Sequence, residues 1–189
     1  MDYFIMCPER QIHTVGKLAS ASQRGSVSLA NLTRKEIERI THTMSFYVQD
    51  AFQIEYPDLI QAGRLLVSGK LKAIMSQYQS DVIFKPLMLI EEKKKRQELY
   101  YLTAAPLLEG VVTETKQEHP EYRTKDVVDE AKAGNARIFS TGKYGRQLYV
   151  RLDVAESILR RDPYGVWFEK VRVESAGIKE TGKNDAKES

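Results

Sequence analysis

Apolar positions in this chain follow two rhythms, a two-residue alternation typical of strands and an i, i+3, i+4 recurrence typical of helices. Leu65-Leu66-Val67 is a short apolar run that reads as a strand, after which Leu71, Ile74, Met75 and Tyr78 recur at i, i+3, i+4 and i+7 as one face of a helix. Val82 to Ile90 then alternates as a second strand. The same order returns as Leu148-Tyr149-Val150, then Ala155, Ile158 and Leu159 on one helical face, then Val166 to Val173. Laying Arg64 to Leu89 on Gln147 to Val173, with one residue inserted near the start of the helix, pairs Val67 with Val150, Ile74 with Ile158, Met75 with Leu159 and Phe84 with Phe168. The spacing of Asp153 and Glu156 predicts a capping box on the second helix. Two readings stand: an internal duplication, or two unrelated strand-helix-strand units of similar length.

Around these units the pattern is shorter-ranged. Asp2 to Met6 reads as an opening strand ended by Pro8, because proline has no N–H to give to a ladder. Glu9 to Asn31 is polar and small, which predicts a long loop. Thr33 and Glu36 form a capping-box spacing that opens a helix over Arg34 to Ile40, with Ile37 and Ile40 inward. Met44 to Phe52 fits strand and helix equally. Glu91 to Arg96 is a charged turn between Val82 to Ile90 and Leu99-Tyr100-Tyr101-Leu102, which makes a hairpin with a solvated tip. Gly110 to Thr113 and Arg137 to Ser140 are further short strands, and Lys143 to Arg146 is a turn. The expectation is an α+β fold, mostly antiparallel sheet, with two strand-helix-strand units packed as one compact body over residues 1–174. Within that single domain, sub-lobes at 1–110 and 111–174 are one division the chain allows. In Glu174 to Ser189 only Ile178 is a large apolar residue, so the tail over 175–189 is expected to be disordered.

Composition narrows the setting. A chain of 189 residues with 42% hydrophobic and 29% charged residues can bury one good core, and its 10 tyrosines outnumber its aromatic residues of other kinds. The single cysteine, Cys7, has no internal disulfide partner, which points to a reducing compartment. Asp2 stands where a signal peptide carries Lys or Arg, and the strongest apolar stretch, Val82 to Ile90, is too short to span a bilayer. A cytoplasmic protein without a membrane segment is the expectation. A net charge of +3 permits an anionic partner without announcing one.

Reactive patterns are sparse. Cys7 with His13 has the elements of a nucleophile and base, but a lone cysteine after an apolar strand reads better as a small buried hydrophobe. His42 and His119 lie outside any ligand spacing. Ser140-Thr141-Gly142-Lys143 matches the bare Ser-x-x-Lys of acyl-transfer enzymes without its companion motifs. Gly134 and Gly142-Lys143 suggest a phosphate loop, but they are spaced too widely and Tyr144 stands where Ser or Thr must reach magnesium. The chain is therefore expected to be no enzyme and to hold no metal or cofactor. Lys93 to Arg96, with Lys143, Arg146, Arg160 and Arg161, could follow a phosphate backbone with Tyr100, Tyr101 and Tyr144 as stacking platforms; solvated turns and helix ends explain the same residues. Nucleic-acid binding through that hairpin is the alternative function.

Tyr56-Pro57-Asp58, Leu66-Val67-Ser68-Gly69-Lys70-Leu71, Phe84-Lys85-Pro86, Arg96-Gln97-Glu98-Leu99-Tyr100-Tyr101, Val150 to Arg161 and Gly165-Val166-Trp167-Phe168 together resemble a family of bacterial polymorphic-toxin immunity proteins, the myxobacterial-type immunity domain once described only as a domain of unknown function. The resemblance covers about Tyr56 to Glu174. It implies a cytoplasmic inhibitor that binds a cognate secreted toxin domain stoichiometrically and carries no catalytic residues. Because Tyr, Trp and Arg dominate binding hot spots, Tyr100, Tyr101, Tyr144, Arg146 and Trp167 are the candidate partner-binding residues. Tyr101 and Trp167 have a second reading as core residues, which for Trp167 is the better one.

Overall fold

A computed structural model describes residues 1–9, 18–20, 29–48, 55–115 and 120–175. In chain order the elements are β1 (Tyr3–Pro8), β2 (Leu18–Ser20), a 3-10 turn η1 (Leu29–Asn31), α1 (Arg34–Glu38), β3 (Met44–Val48), β4 (Leu59–Gln61), β5 (Leu65–Ser68), α2 (Gly69–Tyr78), β6 (Ile83–Glu91) and β7 (Arg96–Ala104). There follow β8 (Val112–Glu114), β9 (Asp126–Asp129), α3 (Glu130–Ala133), β10 (Ile138–Phe139), β11 (Leu148–Arg151), α4 (Leu152–Leu159) and β12 (Val166–Glu174). The α+β class holds.

The strands form two six-stranded sheets, β2-β3-β6-β7-β5-β4 and, read in the same sense, β8-β9-β12-β1-β11-β10. Their pairings match strand for strand. β3–β6 and β9–β12 are parallel, and every other neighbouring pair is antiparallel. In each half a strand leads into a helix and on to a second strand, and both strands pair with one intervening strand. That intervening strand is β7 in the first half and β1, from the other end of the chain, in the second. Assigning 1–110 to one sub-lobe would therefore split the second sheet down its middle; β1 belongs with 111–174.

Register carries the correspondence to single residues. Val67 faces Tyr101 and Ser68 faces Tyr100, while Val150 faces Phe4 and Arg151 faces Tyr3. Tyr100 and Tyr3 thus occupy one position, and each donates its hydroxyl to a carbonyl two residues before the edge strand, Pro57 at 2.6 Å and Ala136 at 3.0 Å. Phe84 and Phe168 are equivalent, as expected. The helices align without the inserted residue, so that Leu71 matches Val154 and Met75 matches Ile158; the extra residue falls between helix and following strand. The pairing of Met75 with Leu159 is corrected accordingly, since Met75 is sealed in the core and Leu159 is 53% exposed.

Alternation then builds the layers. One face of both sheets encloses α2 and α4 in a shared core of Leu65, Val67, Leu71, Ile74, Met75, Leu148, Val150, Val154 and Ile158. Each fully buried aliphatic side chain there contributes about 1.5–3 kcal/mol. The opposite face of the first sheet packs Leu66, Leu87, Leu89, Tyr100 and Leu102 under η1 and α1, and that of the second packs Tyr3, Ile5, Phe139, Tyr149 and Val171 under α3. Phe139 stacks on Tyr149 at 5.1 Å and meets Tyr3 edge-on at 5.5 Å.

Local signals fared unevenly. Thr33 and Glu36 close both arms of their capping box on α1, with Ile37 fully buried. The box expected at Asp153 and Glu156 does not form. Arg151 is the N-cap and makes no side-chain cap; its guanidinium instead takes the Asp153 carboxylate through Nε at 2.8 Å and Nη2 at 2.5 Å. On α2 the cap is Ser68, whose Oγ accepts from Leu71 N. The ambiguous Met44 to Phe52 run contains strand β3 as far as Val48, and its remainder lies outside the described residues. The expected Glu9 to Asn31 loop holds β2 and η1, with 10–17 and 21–28 outside the described residues. Of the tail, only Ser175 is described. Among the described residues no helix is long and apolar enough to cross a membrane.

Tyr100→Phe leaves the buried Pro57 carbonyl without its donor and should cost about 1–2 kcal/mol in urea unfolding. Tyr3→Phe should cost a similar amount, and the two losses should add, because they lie in opposite sheets. Removing Met1–Pro8 takes out a central strand; the truncated chain should lose cooperative unfolding, whereas a shortened chain that keeps the parent midpoint would contradict this topology.

Candidate partner interface

The most conspicuous motif residues turn out to hold the two halves together. Asp58, just before β4, accepts the Ser68 hydroxyl on Oδ1 at 2.5 Å and the Tyr164 N–H on Oδ2 at 2.8 Å, while its own N–H donates to the Tyr164 carbonyl at 2.7 Å. Lys70 reaches the same carboxylate at 3.5 Å and donates to the Asp162 carbonyl at 2.7 Å. Tyr56-Pro57-Asp58 and Ser68-Gly69-Lys70 thus clamp the first half onto the α4–β12 turn of the second.

The five candidate residues do not converge on one spot. Tyr100 is in the core, and burial pushes its phenol well above the usual range, so it offers a partner nothing. Trp167 is half-buried, gives its Nε1 proton to the Pro8 carbonyl at 3.1 Å and lies under Arg123 at 5.7 Å. Tyr144 sits between Lys143 and Arg146, whose charges lie 5.3 and 5.1 Å from its ring centre. Arg146 is exposed and bonded to the Ala30 carbonyl. Tyr101 alone lies on an open apolar face. Its ring is half-buried beside α2, with the Lys72 ammonium 4.1 Å above it.

That face is the front of the β6–β7 hairpin, on the side that carries α2. Near the core it is covered: Phe84 packs on the shared core and faces the buried Thr103. Farther out α2 ends its cover, and the cross-strand pairs Pro86–Tyr101 and Met88–Leu99 open to solvent, Leu99 being 44% exposed. β3 extends the strip, setting Ser45 beside Met88 and the half-exposed Tyr47 beside Ile90. Pro86 is tolerated because β3 begins to pair only at Leu87. The other half has the same surface with different chemistry: where the first carries Pro86, Met88, Ile90 and Leu99, the second carries Lys170, Arg172, Glu174 and Asp2. Those charges neutralise one another, Lys170 with Asp2 at 3.3 Å and Arg172 with Glu174 at 3.6 Å. One front is built for water and the other is not. The sequence held the signal in Phe84 to Ile90, where nearly every position is apolar, so that both faces of the strand need cover.

The tip of the hairpin is held rigidly. Glu91 is 6% exposed, takes Lys94 at 2.8 Å and accepts the Tyr56 hydroxyl at 3.0 Å. Arg96 lies 4.1 Å over the Tyr56 ring and pairs with Glu98 at 2.7 Å. Burial, then the Glu91 carboxylate, pushes the Tyr56 phenol up to about 12. Lys94 and Arg96 are therefore committed to carboxylates. Among the described residues no group of His, Cys, Asp and Glu is placed to hold a metal ion.

The Lys94 hydrogen bond, with that of Tyr56, holds the Glu91 carboxyl below its ordinary value of 4.5. Its stabilisation is complete above that value and fades as pH falls through the lower folded one. The melting-temperature gap between the parent and Glu91→Gln should accordingly be flat near about pH 7 and close toward about pH 3, and a gap that stays constant would refute the pairing. Compared with known protein families and with curated proteins, the chain matches none.

Proposed function

We propose that this protein is an immunity protein, a cytoplasmic inhibitor that binds and neutralises a cognate toxin domain one to one and does no chemistry itself. The observation that carries the reading is the asymmetry of the two fronts. A doubled scaffold keeps one front charged and self-neutralised, and on the other it leaves Met88, Leu99 and Tyr101 half-uncovered on a stiff hairpin. Such a strip, with an aromatic anchor and cations at its margin, is the anatomy of a protein-binding surface. The partner that fits has an apolar centre and an acidic margin facing Lys72. The resemblance of the Tyr56-Pro57-Asp58 and Val150 to Arg161 segments to immunity proteins supplies the class of partner; the strip supplies the surface.

Co-expression with its cognate toxin domain should restore bacterial growth and yield a one-to-one complex. Leu99→Lys and Met88→Lys change exposed or half-exposed side chains and should leave the melting temperature nearly unchanged. Together with Tyr101→Ala they should weaken the complex by about 10–100-fold. Undiminished protection by the Leu99→Lys/Met88→Lys double variant would sink this placement of the surface, and the absence of any complex would sink the reading as a whole.

A further inference from the structure

Arg64 is among the largest side chains sealed in the protein, at 1% exposure, and its Nε and Nη1 have no hydrogen-bond partner among the described residues. It stands in the turn between β4 and β5, closed by Ala62 N–H on the Arg64 carbonyl at 2.9 Å. Beside it Gly63, at φ +74, is pressed so closely on η1 that a Cβ would come within 2.8 Å of Ala30 Cβ. The same Ala30 offers its carbonyl to Arg146, whose Nε and Nη2 donate at 3.2 and 3.1 Å. Arg146 thus bonds the same 3-10 turn against which Gly63 is pressed, and its positive charge adds to burial in lowering the Arg64 pKa to about 10. Next to Arg146, Gly145 lies on Ser140, whose Oγ is likewise buried without a partner among the described residues.

Buried guanidinium groups are found with an anion, because desolvation without a counter-charge is strongly unfavourable. Here the charge acting on Arg64 is another arginine's. We infer that this corner, where the β4–β5 turn of the first half meets the 140–146 loop of the second, binds a phosphate-type oxyanion between Arg64 and Arg146. A dianion suits the pair better than a carboxylate, since one negative charge leaves the second guanidinium uncompensated. Arg146, exposed and tethered to η1 by hydrogen bonds to Ala30 and Asn31, is the side chain that moves aside to admit it. The site is separate from the hairpin strip and does not depend on the identity of the protein partner.

The test is thermal unfolding of the full chain titrated with inorganic phosphate, with sodium chloride added to hold ionic strength constant. A parallel arm uses glycerol phosphate, to separate free phosphate from a phosphomonoester, and another uses acetate. At about a hundredfold excess over Kd, phosphate should raise the melting temperature by about 5–10 °C, saturably, and acetate should not. Arg64→Met should be at least as stable as the parent without phosphate and should lose the shift. Arg146→Gln, at an exposed position, should lose most of it, and serves alone if Arg64→Met fails to fold. No saturable shift in the parent, an equal shift with acetate, or a full shift retained in either variant overturns the site.

Discussion

Helices α2 and α4 meet in the middle layer, and neither has anywhere else to bury its apolar stripe. Leu71, Ile74 and Met75 on one side and Val154, Ala155 and Ile158 on the other fill the space between two sheets that would otherwise face each other across an empty gap. A strand-helix-strand unit with a helix on one face of its sheet is half a core. Two such units placed helix to helix make a whole one, and the outer sheet faces are then closed by short pieces, η1 with α1 and α3. The clamp at Asp58 follows from this packing: it ties β4, β5 and α2 to the α4–β12 turn at the edge of the shared layer.

The matched sheet orders, the two equivalent tyrosines with their equivalent carbonyl partners and the shared Phe84 and Phe168 position favour duplication over chance alignment of two similar units. The correspondence between the halves is permuted, because the strand that β7 provides in the first half is provided by β1 in the second. That arrangement ties the chain's opening strand to its last sheet and makes separate folding of an N-terminal and a C-terminal half topologically awkward. It also gives each surface of one half a counterpart on the other, against which its chemistry can be judged. Pro86, Met88, Ile90 and Leu99 stand out because Lys170, Arg172, Glu174 and Asp2 occupy the same places.

Residues that look functional by type divide by environment. Tyr100 carries the same ring as Tyr101 and lies next to it in sequence, yet alternation sends one into the outer core and the other onto the open front. Arg64 and Arg146 show the converse. Nothing in the local sequence marks Arg64, which becomes notable only because folding seals it in the β4–β5 turn with a second positive charge acting on it.

By itself the sequence determined what short-range periodicity and local capping can determine: the α+β class, the two strand-helix-strand units, the β6–β7 hairpin with its charged turn, the Thr33 to Glu36 box and the equivalence of Phe84 with Phe168. These depend on side chains a few residues apart, whose spacing is itself the physical signal. Tertiary structure decided the rest. It placed β1 in the middle of the second sheet, a pairing across more than 140 residues that no local pattern encodes. It turned the Asp153 carboxylate from a cap into a partner for Arg151, because the guanidinium is the stronger attraction at that helix start. Short strands such as β4 and β9 have too few residues to show a period and exist because neighbouring strands supply their hydrogen bonds. Which apolar side chains remain uncovered is likewise a property of the assembled layers, since exposure depends on where α2 begins, with Gly69 beside Tyr101, and not on what Leu99 is.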